Sequence, residues 1–513
     1  MRYTTAIFLA VCVVGTSNGQ SDPAPNTCRV ALHAPGHGQR TTLLYRYDDL
    51  ITQRTVMIAQ AELDDAGKAV FEVPVQEVTK ALVRIGPVNA TFFITPGARY
   101  ELEIPLPDRN TPRGIGGTTK VDPLFHGLDP LDPNALTTDL NIRIDAFLAG
   151  DLATDQGAGM HAADRIRSTP KDSSRVSDRP PTLFVLPSPD QARIDTFELK
   201  LRRFYAEVRD PWFWEYLDYA VGGLRLGPKA NKKLLHGQLV KSRSIAYNNP
   251  EQLRFLRNFF SEHMMVEVYR DDMQRLKQHI AATASDSVMA MFAAHEFLKP
   301  DPRLQELLMI SELYAHYHGR QFDRAGIELI LTGVRERSAY PEHRTIAANM
   351  LWDLTAMRAG AEFPSLSLRD INGVEVKLDE QLQGAVCIAI TAGWCTHCEV
   401  ELGALQKLQT DYGDYVRFVV IGIDSSFAEF AAAARARPAR NWTWLYAGDD
   451  PLFMDALRLR SVPAFFLLND RIIARNPAPV PSQGMAALFH KLETEAEQEN
   501  KIKFGSEAPP QKR

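Results

Sequence analysis

The chain has 513 residues, 58 Lys+Arg against 63 Asp+Glu, a net charge of −5, 45% hydrophobic and 24% charged residues, and five cysteines. At the usual ~100–200 residues per domain this length calls for a multidomain protein, not one small stapled core. The thin acidic balance excludes a global basic field for nucleic acid, and five cysteines are too few to build a disulfide-dependent fold.

Residues 1–19 read as a secretory signal peptide: Arg2 is a positive start, Ala6 to Val14 is an apolar run of nine, and Ser17-Asn18-Gly19 offers small residues before a cleavage site. The run is too short to span a bilayer, and no later stretch approaches ~18 apolar residues, so no membrane span is expected in the mature chain. Leu9-Ala10-Val11-Cys12 is a poor lipoprotein box because a bulky Val flanks the cysteine, so lipid anchoring is not expected. Export places the four remaining cysteines in an oxidising setting where disulfide exchange is possible.

Residues 25–106 carry period-two patterning broken by turn signals, in RVALHAP, TTLLYRY, TVMIAQAEL, AVFEVPV, ALVRIG, TFFITPG and YELEIPL. Short strands at this spacing predict an antiparallel β-sandwich, with Cys28 an idle thiol at its start. Residues 107–194, rich in Pro, Gly, Asp and Ser, read as a partly disordered linker. From 195 to 360 apolar residues recur three and four apart, which predicts an all-α domain. Its aromatic run Trp212-Phe213-Trp214-Glu215-Tyr216-Leu217-Asp218-Tyr219 reads as a bulky helix packed into its neighbours.

Residues 361–495 change pattern again. Asn372-Gly373 marks a hairpin, AVCIAIT is a continuous apolar run suited to a strand buried on both faces, and EVELGALQKLQTDYG reads as a helix. Between strand and helix stands Gly393-Trp394-Cys395-Thr396-His397-Cys398. A strand, then CxxC, then a helix is the context in which this motif carries redox chemistry; a zinc site would need two further ligands, and no second CxxC or close Cys/His pair supplies them. A cysteine at a helix entrance faces unsatisfied N–H groups and the positive end of the helix dipole, which favour the thiolate, so Cys395 is the expected nucleophile. Cys398, one turn further in, is placed to attack the mixed disulfide and is the expected resolving cysteine. No cofactor or metal is expected beyond the redox-active Cys395–Cys398 disulfide. Cys387, inside the buried strand, reads as core packing, although a bridge from Cys28 to Cys387 remains open. Residues 496–513 form a polar tail.

The segment from Phe363 to Leu492 resembles the TlpA/ResA-like family of extracytoplasmic thiol-disulfide oxidoreductases. The resemblance rests on PSLSLRDINGVEVKL, the WCTHC centre, the strand VRFVVIGID and the run Arg460-Ser461-Val462-Pro463-Ala464-Phe465-Phe466. It implies a C-terminal α/β thioredoxin fold and a periplasmic location. It also implies exchange with protein thiols and disulfides, fed by a membrane or periplasmic electron donor or acceptor. Pro463 matches the cis-proline that faces CxxC in such folds, so Trp394, Val462 and Pro463 are the implied substrate-binding residues. Glu401 aligns with the glutamate that follows CxxC in ResA-like proteins and is the implied proton buffer for Cys398. The buried acid that thioredoxin keeps six residues before its first active-site cysteine is here Ala389, and Gly403 stands where the family often has proline. The Thr396-His397 pair resembles oxidising centres such as protein disulfide isomerase and DsbA, near −180 to about −120 mV against about −270 mV for thioredoxin, so both residues are expected to tune the thiolate. A weaker, purely architectural resemblance links the whole arrangement to envelope proteins of Bacteroidetes-like bacteria. Two other readings compete: a redox-sensitive scaffold that uses the module as a clamp, and a thiol peroxidase, against which the missing PxxxTxxC context speaks.

Overall fold

The computed structural model describes residues 26–505 apart from 87, 108–118, 169–190, 228–229, 262–271, 300, 425, 438–441, 449–452 and 460. The signal peptide expected at 1–19 lies outside the described residues. The protein is multidomain, built from three sheets and a long run of helices.

The alternating segments of the first hundred residues form β1 (Thr27–His33), β2 (Thr41–Tyr47), β3 (Thr55–Glu62), β4 (Lys68–Pro74), β5 (Thr79–Ile85), β6 (Val88–Ile94) and β7 (Arg99–Glu103). Their buried positions alternate along β1 and β6, as one wet and one dry face require. Two further strands, β8 (Thr119–Val121) and β9 (Leu124–His126), lie in the stretch expected to be linker. They complete sheets of order β4-β1-β7-β9 and β3-β2-β5-β6-β8, and the antiparallel expectation is corrected, because β1 runs parallel to β7 and β6 parallel to β8. The two sheets share one core, to which Val30 and Leu32 of β1 and Val83 and Ile85 of β5 contribute. The turn before β4 needs glycine: Gly67 has φ +74°, and a Cβ there would lie 2.3 Å from the Ala34 carbonyl oxygen.

The linker expectation is corrected a second time by the helix Pro133–Ser168. Leu136, Leu140 and Ile144 recur every four residues and are buried against Ile194, Leu201, Trp212 and Phe213, a stripe that the surrounding Pro- and Asp-rich composition concealed. The rest of the proposed linker, 108–118 and 169–190, lies outside the described residues. The helical region continues through Gln191–Phe204, Pro211–Leu224, Lys232–Leu239, Pro250–Phe259, Met273–Ala281, Ser285–Ala293, Pro302–His316, Arg324–Arg337 and Pro341–Thr355. Its starts follow local chemistry. Asp210, Asn249 and Asp301 cap helices whose first residue is proline, each side chain accepting a backbone N–H of the first turn. The aromatic run packs as expected, with Trp212, Phe213, Tyr216 and Tyr219 buried.

The last region is a seven-stranded mixed sheet of order β11-β10-β14-β13-β12-β15-β16. Its strands are β10 (Ser367–Asp370), β11 (Glu375–Lys377), β12 (Ala385–Thr391), β13 (Arg417–Gly422), β14 (Trp442–Tyr446), β15 (Ala464–Asn469) and β16 (Ile472–Arg475). β12 runs parallel to β13 and antiparallel to β15, and it is buried on both faces. Val386, Ile388 and Ile390 enter one core while Cys387 and Ala389 enter the other, which explains the unbroken apolar run. The helix Met485–Gly505 covers the second face through Met485 and Phe489 and extends ten residues into the expected tail; 506–513 lies outside the described residues.

Polar contacts join the three regions. The Asn349 amide donates to Asp48 and Asp49 and its oxygen accepts from Arg54. The guanidinium groups of Arg54 and Arg458 lie 4.2 and 4.8 Å from the ring centroid of Trp352, and Arg458 is ion-paired to Asp353. Among the described residues no helix is long and apolar enough to cross a membrane.

Candidate functional site

The site grows from the carboxyl end of β12. After Thr391 the chain leaves the sheet, turns through Ala392–Cys395 with Cys395 N–H donating to the Ala392 carbonyl (3.0 Å), and enters the helix Thr396–Tyr412. Cys395 is the N-cap of that helix, and its sulfur accepts from the Cys398 backbone N–H at 3.1 Å. A disulfide joins Cys395 to Cys398 with their Cα atoms 5.2 Å apart. The two sulfurs sit in different surroundings: Cys398 is 1% exposed, whereas Cys395 is half-buried, behind the exposed Trp394. The Cys395 Sγ is 3.7 Å from the Val462 carbonyl oxygen, and the Val462–Pro463 peptide is cis. The centre and the proline run, some 65 residues apart in sequence, therefore meet as the resemblance implies, and Val462 and Pro463 are partly open to solvent.

Glu401 is buried, one turn beyond Cys398. Its two carboxylate oxygens accept from the backbone N–H and the hydroxyl of Ser482, at 3.0 and 2.7 Å. His397 is exposed, and its Nε2 lies 4.0 Å from Glu401 Oε1. Thr396, the first residue of the helix, faces solvent. Ala389 is sealed in the core between Val420 and Phe465, so the position of thioredoxin's buried acid carries no ionisable group. Gly403 has open space around it, with nothing within 4 Å of a Cβ built there.

A second buried acid is bound to the loop that leads into Cys395. Asp424, just past β13, is 6% exposed, and its Oδ1 accepts the Gly393 N–H at 2.5 Å. Burial pushes its carboxyl above the ordinary aspartate range, against the lowering effect of that N–H, and nearby Glu429 adds to the rise. Asp424 was in view only as the last residue of VRFVVIGID, with no spacing to connect it to Gly393, and Ser482 had no signal at all.

Among the described residues the other two cysteines are free. Cys28 lies in the core of the first two sheets and Cys387 in that of the last, so the open possibility of a bridge between them is not realised. Burial pushes both thiols up to about 12. Neither is a thiolate at neutral pH.

No protein-family profile matches the chain. Thioredoxin-like protein YneN of Bacillus subtilis is 29% identical over 70 residues, 14% of this chain and 41% of that protein. The chain thus spans less than half the length of this curated relative. Among solved structures, the thioredoxin domain of a thiol-disulfide oxidoreductase from Bacteroides vulgatus is 17% identical, covering 27% of this chain and 96% of that one at a TM-score of 0.23. A thiol peroxidase from Chromobacterium violaceum is 18% identical over 28% of this chain and 89% of its own, at 0.25. A thioredoxin-like protein from Bacteroides caccae is 12% identical and covers 64% of this chain and 99% of its own, at 0.30. Thioredoxin-like and thiol-disulfide oxidoreductase proteins therefore match part of the chain.

Proposed function

We propose that the protein is an exported, periplasmic thiol-disulfide oxidoreductase of the TlpA/ResA-like kind, exchanging disulfides with envelope proteins through Cys395 and Cys398. In this reading a β-sandwich and a helical domain precede the thioredoxin-like module. The observation that carries the proposal is the inequality of the two sulfurs: one half-open at a helix N-cap against Val462, the other buried behind it. An incoming substrate thiolate reaches only Cys395. Its attack forms a substrate–Cys395 bond, breaks the Cys395–Cys398 bond, and leaves the electron pair on Cys398 as a thiolate that takes up a proton. A second substrate thiolate then expels Cys395, so that the substrate loses two electrons and the enzyme holds two thiols. The reverse sequence reduces a substrate disulfide, with Cys398 as the resolving group.

The surrounding residues take roles from their placement. The N–H groups of the first helical turn, among them that of Cys398, stabilise the Cys395 thiolate. Glu401, held by Ser482 beneath the resolving cysteine, buffers its proton, with His397 as the link to solvent. Trp394 and the Val462–Pro463 segment form the surface on which an extended substrate lies, and Thr396 and His397 tune the potential toward the oxidising side. Redox partners are protein thiols or disulfides and a membrane or periplasmic electron donor or acceptor.

Insulin reduction and scrambled-ribonuclease refolding by wild type and Cys395→Ser test the reading. The wild type accelerates both and the variant neither; equal rates from the two proteins would favour a scaffold that uses the module as a clamp.

A further inference from the structure

Asp424 plays no part in the chemistry so far, yet it is bound to the loop that delivers the attacking sulfur. Its Oδ1 accepts from Gly393, two residues ahead of Cys395, so the two Cα atoms are at most about 7 Å apart. The backbone around it is built for close approach. A Cβ at Gly393 would lie 3.0 Å from Asp424 Oδ1, one at Gly422 would lie 3.2 Å from Oδ2, and one at Gly448 would lie 1.9 Å from the Asp424 carbonyl oxygen. Ile423 N–H donates to the Thr391 carbonyl at 2.9 Å, which ties the start of this acid's segment to the end of the strand that carries the centre. Charged and titratable groups act on it from two neighbouring elements. Glu429 comes from the following helix and Tyr446 from β14; Arg369 and Arg40 act on Tyr446.

We propose that Asp424 is a positioning residue of the redox centre: its carboxylate fixes the Gly393–Trp394 peptide that leads into Cys395 and, as a buried negative charge beside that loop, opposes ionisation of the Cys395 thiol. The inference rests on the reading of Cys395 and Cys398 as the redox pair. Two opposed influences then act on one sulfur. The helix N-terminus favours the thiolate, and Asp424 restrains it, so the centre is less oxidising than its helix entrance and histidine alone would make it. With Ala389 in the place of thioredoxin's buried acid, the only buried carboxylates described at this centre are Glu401, on the Cys398 side, and Asp424, on the Cys395 side.

The test uses the full chain and two uncharged variants: Asp424→Asn, which keeps an acceptor for the Gly393 N–H, and Asp424→Ser, whose hydroxyl is one bond shorter. Each protein is titrated in a dithiol/disulfide buffer, and the alkylation rate of reduced Cys395 is followed against pH. Both variants are expected to show a Cys395 midpoint lower by about half a pH unit or more, roughly a threefold gain in thiolate fraction below the midpoint. Their disulfide potentials are expected to become less negative to match. If one variant fails to fold, the other carries the test. A wild-type couple with alkylation profiles and potentials unchanged in the folded variants would overturn the role of Asp424 alone. A wild type with no reversible couple would overturn the redox reading beneath it as well.

Discussion

The first two sheets and the last sheet each place a cysteine in the same kind of slot. Cys28 on β1 and Cys387 on β12 are sealed in their cores, and burial pushes both thiols up to about 12. Only eight residues after Cys387 the last sheet offers a cysteine of opposite character, because the chain has left the strand and begun a helix. Cys395 is half-open, caps the helix, and faces Val462. The first sheets have no such exit beside Cys28, whose strand runs on between β4 and β7. On the proposed redox reading, reactivity belongs to a place in the fold, the point where a buried strand hands over to a helix, and not to the thiol itself.

The largest effect is expected from removing the partner of the proposed nucleophile. Cys398→Ser should keep attack by Cys395 but halt at a stoichiometric mixed disulfide with insulin, seen as an adduct by mass spectrometry, while turnover falls to background. Next in size is Glu401→Gln, which keeps an acceptor for Ser482 but cannot carry the proton. Its insulin reduction should slow on the order of a hundredfold near neutral pH.

A smaller effect separates Asp424 from the apolar core around it. The folded-state pKa of Asp424 is raised, so its contribution to stability is fully present below the unfolded value near ~3.9 and is lost as pH rises through the folded value. Asp424→Asn, which never ionises, should therefore gain on wild type in thermal melts as pH is raised from about 4 to about 7. Melting curves that stay parallel over that range would contradict the burial of a charge there. Smallest of all, Cys28→Ala and Cys387→Ala should each cost about 1 kcal/mol in denaturant melts and leave exchange rates untouched. A loss of exchange in either would undo the division between silent and reactive cysteines.

What could be read from the residues themselves follows the range of the physics. The seven alternating segments of the first region, the double-faced strand β12 and the strand–CxxC–helix handover are local patterns, and each is found in place. Pairing over distance was legible only where a resemblance supplied it, as for Val462 and Pro463. Ser482 beneath Glu401 and Asp424 beneath Gly393 are separated from their partners by 81 and 31 residues, with no spacing rule to join them. The stretch 107–194 misled for a different reason. Its Pro, Gly and Asp content outweighed Leu136, Leu140 and Ile144, whose value appears only when the helices around Ile194 and Phe213 supply a surface to bury them. β8 and β9, three residues each, are too short to show alternation and owe their form to the sheet edges they complete.

The central claim is that Cys395 and Cys398 alone form a reversible redox couple. It is tested most directly by equilibrating the folded full chain in dithiol/disulfide buffers of graded potential, alkylating the free thiols, and reading the label cysteine by cysteine. The account predicts a single two-electron transition confined to Cys395 and Cys398, at a potential less negative than about −270 mV, with Cys28 and Cys387 labelled only after unfolding. A transition shared with Cys28 or Cys387, or no reversible transition at Cys395 and Cys398, would contradict it.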